Sequence, residues 1–81
     1  MQEIDEILAT DLPDMQKLAK VFQWITNFYI ESAAQEIELH KALGDQDALV
    51  KEQIKQSVFM HAQSIFQQSH LLVTKRKAWG E

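Results

Sequence analysis

The chain has 81 residues, of which 46% are hydrophobic, and it contains two glycines, one proline and no cysteine. A chain of this length forms one small domain, which buries only ~60–65% of the surface that the unfolded chain exposes. Disulfides are excluded, so oligomerisation is the expected source of additional stability. Twelve acidic against eight basic residues give a formal charge of −4, which argues against nucleic-acid or membrane binding driven by overall charge.

The first predicted element is a short helix over residues 2–10. Its apolar residues fall at helical spacing, and its acidic residues occupy the first turn, where the helix dipole favours negative charge. Pro13 disfavours the helical conformation in the residue before it, which predicts a break near residues 11–13. Either Asp11 or Asp14 can supply the capping oxygen at this break.

The second predicted element is a long amphipathic helix over residues 14–43. Gly44 can adopt the left-handed conformation that closes a helix, and Asp45 or Asp47 can cap the next one. A tight turn over residues 44–46 therefore joins two antiparallel helices. The predicted buried stripe of the second helix consists of Met15, Leu18, Phe22, Ile25, Tyr29, Ser32, Glu36, Leu39 and Leu43.

The third predicted helix covers residues 47–77 and is followed by a tail at 78–81. We expect its stripe to face that of the second helix, with Tyr29 near the level of His61. The predicted fold is all-α: a short N-terminal helix followed by a long antiparallel helical hairpin, which dimerises into a four-helix-bundle-like core. The stripe of the third helix consists of Leu49, Ile54, Val58, Ala62, Ile65, Ser69 and Leu72.

An uncharged belt crosses the middle of the predicted hairpin. Residues 21–30 and 56–74 contain no charged side chain, and the belt carries apolar side chains outside the two stripes. Two helices can bury only their facing sides, so we predict that a second copy covers the rest. The alternative is a three-helix monomer in which the N-terminal helix covers it. The predicted interface residues are Trp24, Phe28, Ile30, Phe59, Met60 and Phe66.

Residue types that carry chemistry are scattered along the chain. His61 and His70 are nine residues apart and fall on opposite sides of a helix, and Glu36 with His40 is interpreted as a surface pair. Ser57 and His61 share a helix face, but no carboxylate lies within a turn, so His61 is interpreted as a partly buried structural residue. We therefore predict no catalytic residue, metal, cofactor or small-molecule substrate.

The function predicted from these patterns is that of a small non-enzymatic interaction module: an adaptor, regulator or assembly subunit. Its expected partners are a second copy of itself and an unidentified protein. The acidic N-terminus lacks the features of a secretory signal, and the belt is too polar to face lipid, which predicts a cytoplasmic protein without membrane contact. One alternative is an immunity or antitoxin-like inhibitor. The other is a nucleic-acid regulator that uses Lys75, Arg76, Lys77 and Trp79.

Overall fold

A computed structural model describes residues 2–79, which form three helices and no strand. The helices are α1 (Gln2–Leu8), α2 (Asp14–Leu43) and α3 (Gln46–Thr74). Helices α2 and α3 pack against each other as an antiparallel hairpin, and α1 packs against α2. The predicted all-α hairpin with a short N-terminal helix is therefore confirmed. Gly80 and Glu81, at the end of the predicted tail, lie outside the described residues.

The break before α2 follows from its proline. Pro13 is the residue that precedes the helix, and it makes no side-chain capping bond. Neither Asp11 nor Asp14 therefore acts as the N-cap, although the negative charge of Asp14 in the first turn still complements the helix dipole. Helix α1 ends at Leu8, two residues before the predicted end.

The turn between the long helices contains both of the predicted signals. Gly44 has a φ of 72°, and its backbone N–H points to the carbonyl oxygens of His40 and Lys41. The Asp45 carboxylate accepts a hydrogen bond of 3.1 Å from the Ala48 backbone N–H, so Asp45 rather than Asp47 caps α3. The two helices are thus joined by two residues, which fixes them as antiparallel neighbours.

We expect Gly44→Ala to lower the free energy of unfolding by about 1 kcal/mol, because a Cβ disfavours the left-handed conformation. No atom lies within 4 Å of the position of that Cβ, so steric collision adds nothing. Gly44→Asn should cost less, since asparagine tolerates this conformation better. Urea denaturation at a fixed protein concentration measures both variants. Equal losses would contradict the conformational explanation.

The predicted seam between the two long helices is wrong over most of its length, although Phe22 does stack on α3. On α2 the buried residues each follow a predicted stripe residue by one position, which corresponds to a rotation of about 100°. On α3 most of the predicted stripe faces away from α2, with Val58 59% exposed and Ile65 52% exposed, and only Leu49 of that stripe is buried. The residues that are buried in the hairpin are Ala19, Thr26, Ala33 and Ile37 on α2, and Leu49 and His70 on α3.

Polar contacts accompany this rotation, together with the stacking of Phe59 and Phe66 on rings of α2. The side-chain amide of Gln63 donates hydrogen bonds to Thr26 Oγ1 and, at 2.8 Å, to Asn27 Oδ1 across the hairpin. Gln56 donates a weaker bond of 3.4 Å to the carbonyl oxygen of Ile30. A buried amide without partners is costly, so these hydrogen bonds allow the face of α3 that carries the glutamines to pack against α2.

Helix α3 ends three residues earlier than predicted, at Thr74. Lys75 adopts the left-handed conformation with a φ of 61°, and its N–H bonds to the Leu71 carbonyl oxygen at 2.8 Å. Beyond it, Thr74 Oγ1 accepts a 3.1 Å hydrogen bond from the Arg76 backbone N–H. The basic residues therefore lie in a reversed segment after the helix, not in its last turn.

Candidate functional site

Three aromatic rings form a cluster at the open end of the hairpin, opposite the turn. Phe22 and Phe66 stack face to face across the two helices, with ring centroids 4.4 Å apart. Trp79, carried back by the reversed segment, stacks at 5.7 Å from Phe66 and 6.4 Å from Phe22. The C-terminal segment is therefore docked on the hairpin, and this aromatic cluster is part of the monomer's core.

The predicted interface residues divide into two groups. Phe66 belongs to the aromatic cluster, and Phe59 stacks on Tyr29 at 5.0 Å, within one helical turn of the predicted level of His61. Trp24 and Ile30 are half-buried, and Trp24 stacks on Phe28 at 5.9 Å. Only Phe28 and Met60 remain largely exposed, at 48% and 55%. Most of these aromatic rings thus stack on other rings of the same chain.

A different apolar surface faces outward, and we name it the bare face. Its exposed aliphatic side chains include Leu18, Ile25 and Leu72, the last of which is 71% exposed. These are the residues that the sequence placed in the hairpin seam. The bare face consists of Leu18, Ile25, Tyr29, Ser32, Leu39 and Leu43 on α2, with Val58, Ala62, Ile65, Ser69 and Leu72 on α3.

The two halves of the bare face lie on the same side of the hairpin. Leu18 and Ile25 each precede a buried residue of α2 by one position, and Val58 and Ile65 precede the seam rings of Phe59 and Phe66 in the same way. One position back is a rotation of about 100° from the seam. Because the helices are antiparallel, this rotation turns both of them toward the same side.

Helix α1 and the C-terminal segment occupy the other side of the hairpin. A shallow cleft places Ile7 of α1 beside Lys20, Gln23 and Trp24, and the Lys17 ammonium donates a 3.1 Å hydrogen bond to the Leu8 carbonyl oxygen. Lys20 and Gln23 each follow a seam residue by one position, so they face away from the bare face. Neither element therefore covers the exposed aliphatic side chains.

Charge is distributed unevenly along the bare face. Its open end and middle contain no charged side chain, whereas the same stripes carry Glu36 on α2 and Lys51 and Lys55 on α3 near the turn. Glu36 lies 3.4 Å from His40 Nε2, and Lys55 lies 3.3 Å from Glu52. Lys51 has no acidic partner among the described residues. The face is thus apolar over most of its length and carries both signs of charge at one end.

Two of the three basic C-terminal residues line a cleft at the open end of the hairpin, and the third does not. Arg76 and Lys77 line an open cleft with Lys20 of α2, and we name this the basic cleft. Lys75, which was grouped with them in the sequence, caps α3 and does not line the cleft. The residues that line the basic cleft are Gln16, Lys20, Gln23, Arg76, Lys77, Ala78 and Trp79.

The histidines are separated in space as well as in sequence. His70 is 3% exposed, and its Nδ1 lies 3.0 Å from the Arg76 carbonyl oxygen. His61 is exposed, so the prediction of a partly buried structural histidine is wrong for this residue. The Glu36–His40 pair predicted on the surface is present. Within residues 2–79, no three histidine or acidic side chains are grouped so that they could hold a metal ion.

None of the helices in the described part of the chain is both long and apolar enough to cross a lipid bilayer. Comparison of the chain with known family models, curated proteins and solved structures gives no match.

Two features of these surfaces were not predicted from the sequence. The contribution of Lys20 to the basic cleft depends on the chain reversal at Lys75, and no glycine marks that reversal. The bare face was visible as a heptad-like stripe on each helix, but each helix carries two such stripes. Choosing between them required the hydrogen bonds of Gln63.

Proposed function

We propose that this protein is a non-enzymatic interaction module that works as a homodimer, with two copies joined through their bare faces. The exposed aliphatic bare face is the observation that carries this proposal. Each long helix has two adjacent stripes about 100° apart, close to the right angle between the two neighbours of a helix in a square four-helix bundle. The hairpin uses one stripe of each helix, and the second copy covers the other.

The surface area of the single chain supports the same arrangement. The chain exposes 6014 Å², whereas a compact monomer of this mass exposes about 5,000 Å². Its Cα radius of gyration is 15.4 Å, compared with about 12 Å for a compact domain of this length. Two helices of this length present a face of about 45 by 20 Å, or about 900 Å². Stable dimers bury about 800 Å² on each partner, so the face is large enough.

The charges select one orientation of the two copies. A two-fold axis parallel to the helices puts both turns at the same end and lays α2 over α3 of the partner subunit. The register of the Tyr29–Phe59 stack, continued two helical turns, then brings Glu36 between Lys51 and Lys55 of the partner subunit. Reversing one copy would instead place these three charges against aliphatic side chains, which is unfavourable.

Sedimentation velocity and light scattering test the proposal. We expect a species of twice 9.4 kDa at tens of micromolar protein. Such a dimer would direct both copies of α1 and of the basic cleft outward, on opposite sides of the bundle, where other molecules can reach them. A strictly monomeric, folded protein at these concentrations would contradict the proposed function.

Charge reversal tests the orientation separately. Glu36→Lys should weaken the dimer by about tenfold, because it places like charges together at two symmetry-related positions. Adding Lys51→Glu and Lys55→Glu to the same chain should restore association. Glu38→Lys is the matched control, since Glu38 lies on the opposite side of α2 and pairs with Lys41 at 3.7 Å. The measurement is the dissociation constant by sedimentation equilibrium at low salt. A dimer that Glu36→Lys weakens no more than the control would rule out the shared-end orientation.

A further inference from the structure

The basic cleft is built from two segments that are distant in sequence. Gln16, Lys20 and Gln23 are spaced by four and three residues, so they form one stripe along the first half of α2. The reversed segment from Arg76 to Trp79 forms the opposite wall. The volume of this open cleft, about 760 Å³, is within the range of small-ligand sites.

The wall formed by the reversed segment is held in place by several contacts. The Arg76 backbone bonds through its N–H to Thr74 Oγ1 at 3.1 Å, and its carbonyl oxygen lies 3.0 Å from Nδ1 of the buried His70. Trp79 is fixed by stacking on Phe22 and Phe66. The cations of this segment are thus carried on a backbone anchored at both ends, which limits the entropy lost when they bind a ligand.

The electrostatics of the cleft are opposite to those of the whole chain. The chain has a formal charge of −4, but the described residues that line the cleft include three cations and no carboxylate. None of Lys20, Arg76 and Lys77 forms a salt bridge with another described residue. Three unpaired cations on facing walls repel one another weakly in water, and an anion with several oxygens would bind all three.

We propose that the basic cleft binds a nucleotide, with its phosphate groups on Lys20, Arg76 and Lys77 and its base against the half-buried indole of Trp79, which lines the cleft. Arginine and lysine are the usual phosphate ligands, and Gln16 and Gln23 add neutral amide donors. Indoles stack on nucleobases of every type, so the base identity stays open. A free nucleotide and a single-stranded nucleic acid present the same phosphate chemistry, so binding of both is measured.

Calorimetric titration with ATP at low salt tests this inference, supported by fluorescence of a Trp24→Phe variant in which Trp79 is the only tryptophan. We expect submillimolar binding that Lys20→Gln and Arg76→Gln each weaken by about tenfold. Lys41→Gln is the matched control, because it removes one exposed lysine near the turn, about 30 Å along α2 from Lys20, and should leave binding unchanged. Lys20 is exposed on a helix surface, so its replacement should preserve folding, which circular dichroism checks.

Three further results decide the identity of the ligand. Tripolyphosphate that binds as tightly as ATP without changing Trp79 fluorescence would overturn the role of the base. An oligonucleotide of six residues that binds much more tightly than ATP would assign the cleft to a nucleic-acid strand and overturn the free nucleotide. No binding of ATP at 1 mM, or equal loss in the Lys41→Gln control, would overturn the site itself. Because the cleft lies on the side opposite the bare face, these results do not depend on dimerisation.

Discussion

Val58→Glu should convert the dimer into a folded monomer. Val58 is 59% exposed in the single chain, so a carboxylate at this position can remain in water while the hairpin stays intact. In the proposed dimer the same position is covered by α2 of the partner subunit, where a charge has no partner. A two-fold axis makes the change twice, and we expect a loss of about 4 kcal/mol or more, which is about 1,000-fold in the dissociation constant.

Met60→Glu is the matched control for this variant. Met60 is 55% exposed and follows Phe59 by one position, whereas Val58 precedes Phe59 by one position. The two side chains therefore lie on opposite sides of α3. It should therefore retain the dimer. Sedimentation equilibrium gives the dissociation constants, and circular dichroism confirms that both variants are helical. Dissociation by Met60→Glu but not by Val58→Glu would move the interface to the side of α3 that was first predicted.

Phe66→Ala should cause a large loss of stability without changing any residue of the bare face. Phe66 stacks on both Phe22 and Trp79, so its removal leaves a gap in the aromatic cluster and releases one anchor of the C-terminal segment. We expect the free energy of unfolding to fall by about 3 kcal/mol, which lowers the Tm of a domain of this size by about 12–24 °C. Thermal denaturation followed by circular dichroism at one protein concentration measures the change.

Phe28→Ala is the control for the loss of one aromatic ring. Phe28 is 48% exposed, and among residues 2–79 its ring stacks only on neighbours of its own helix, Trp24 and Tyr29, so its loss should cost about 1 kcal/mol. A change as small in Phe66→Ala would show that the aromatic cluster contributes little to stability. The difference between the two variants therefore measures the contribution of packing between α2, α3 and the C-terminal segment.

The helices and their turn could be predicted because their signals are local. Pro13, Gly44 and Asp45 act on the backbone within a few residues of themselves, and the bounds of α2 follow from them. The end of α3 was missed because Lys75 has no intrinsic preference for its left-handed conformation. That conformation is stabilised by contacts of Thr74 and His70 with the backbone of Arg76, which lies beyond the end of the helix.

The rotation of the helices could not be predicted from hydrophobic spacing. The stripe that contains Val58 and Ile65 is more aliphatic than the stripe that contains Gln56 and Gln63, and hydrophobicity alone favours burying the first. The hydrogen bonds from Gln63 to α2 become visible only when the two helices are placed together. The same limit applies to the basic cleft, because Lys20 meets Arg76 only through the fold.

Gln63 thus helps to hold one side of α3 against α2. Replacing it by leucine would leave α3 with two apolar sides, and the weaker bond from Gln56 to Ile30 would remain as a polar contact that favours the observed rotational setting. The chain could then turn its aliphatic stripe inward and push its rings out to solvent, losing in one step the surface by which copies recognise each other. The amide of Gln63 would in this way favour one rotational setting of α3 over the other.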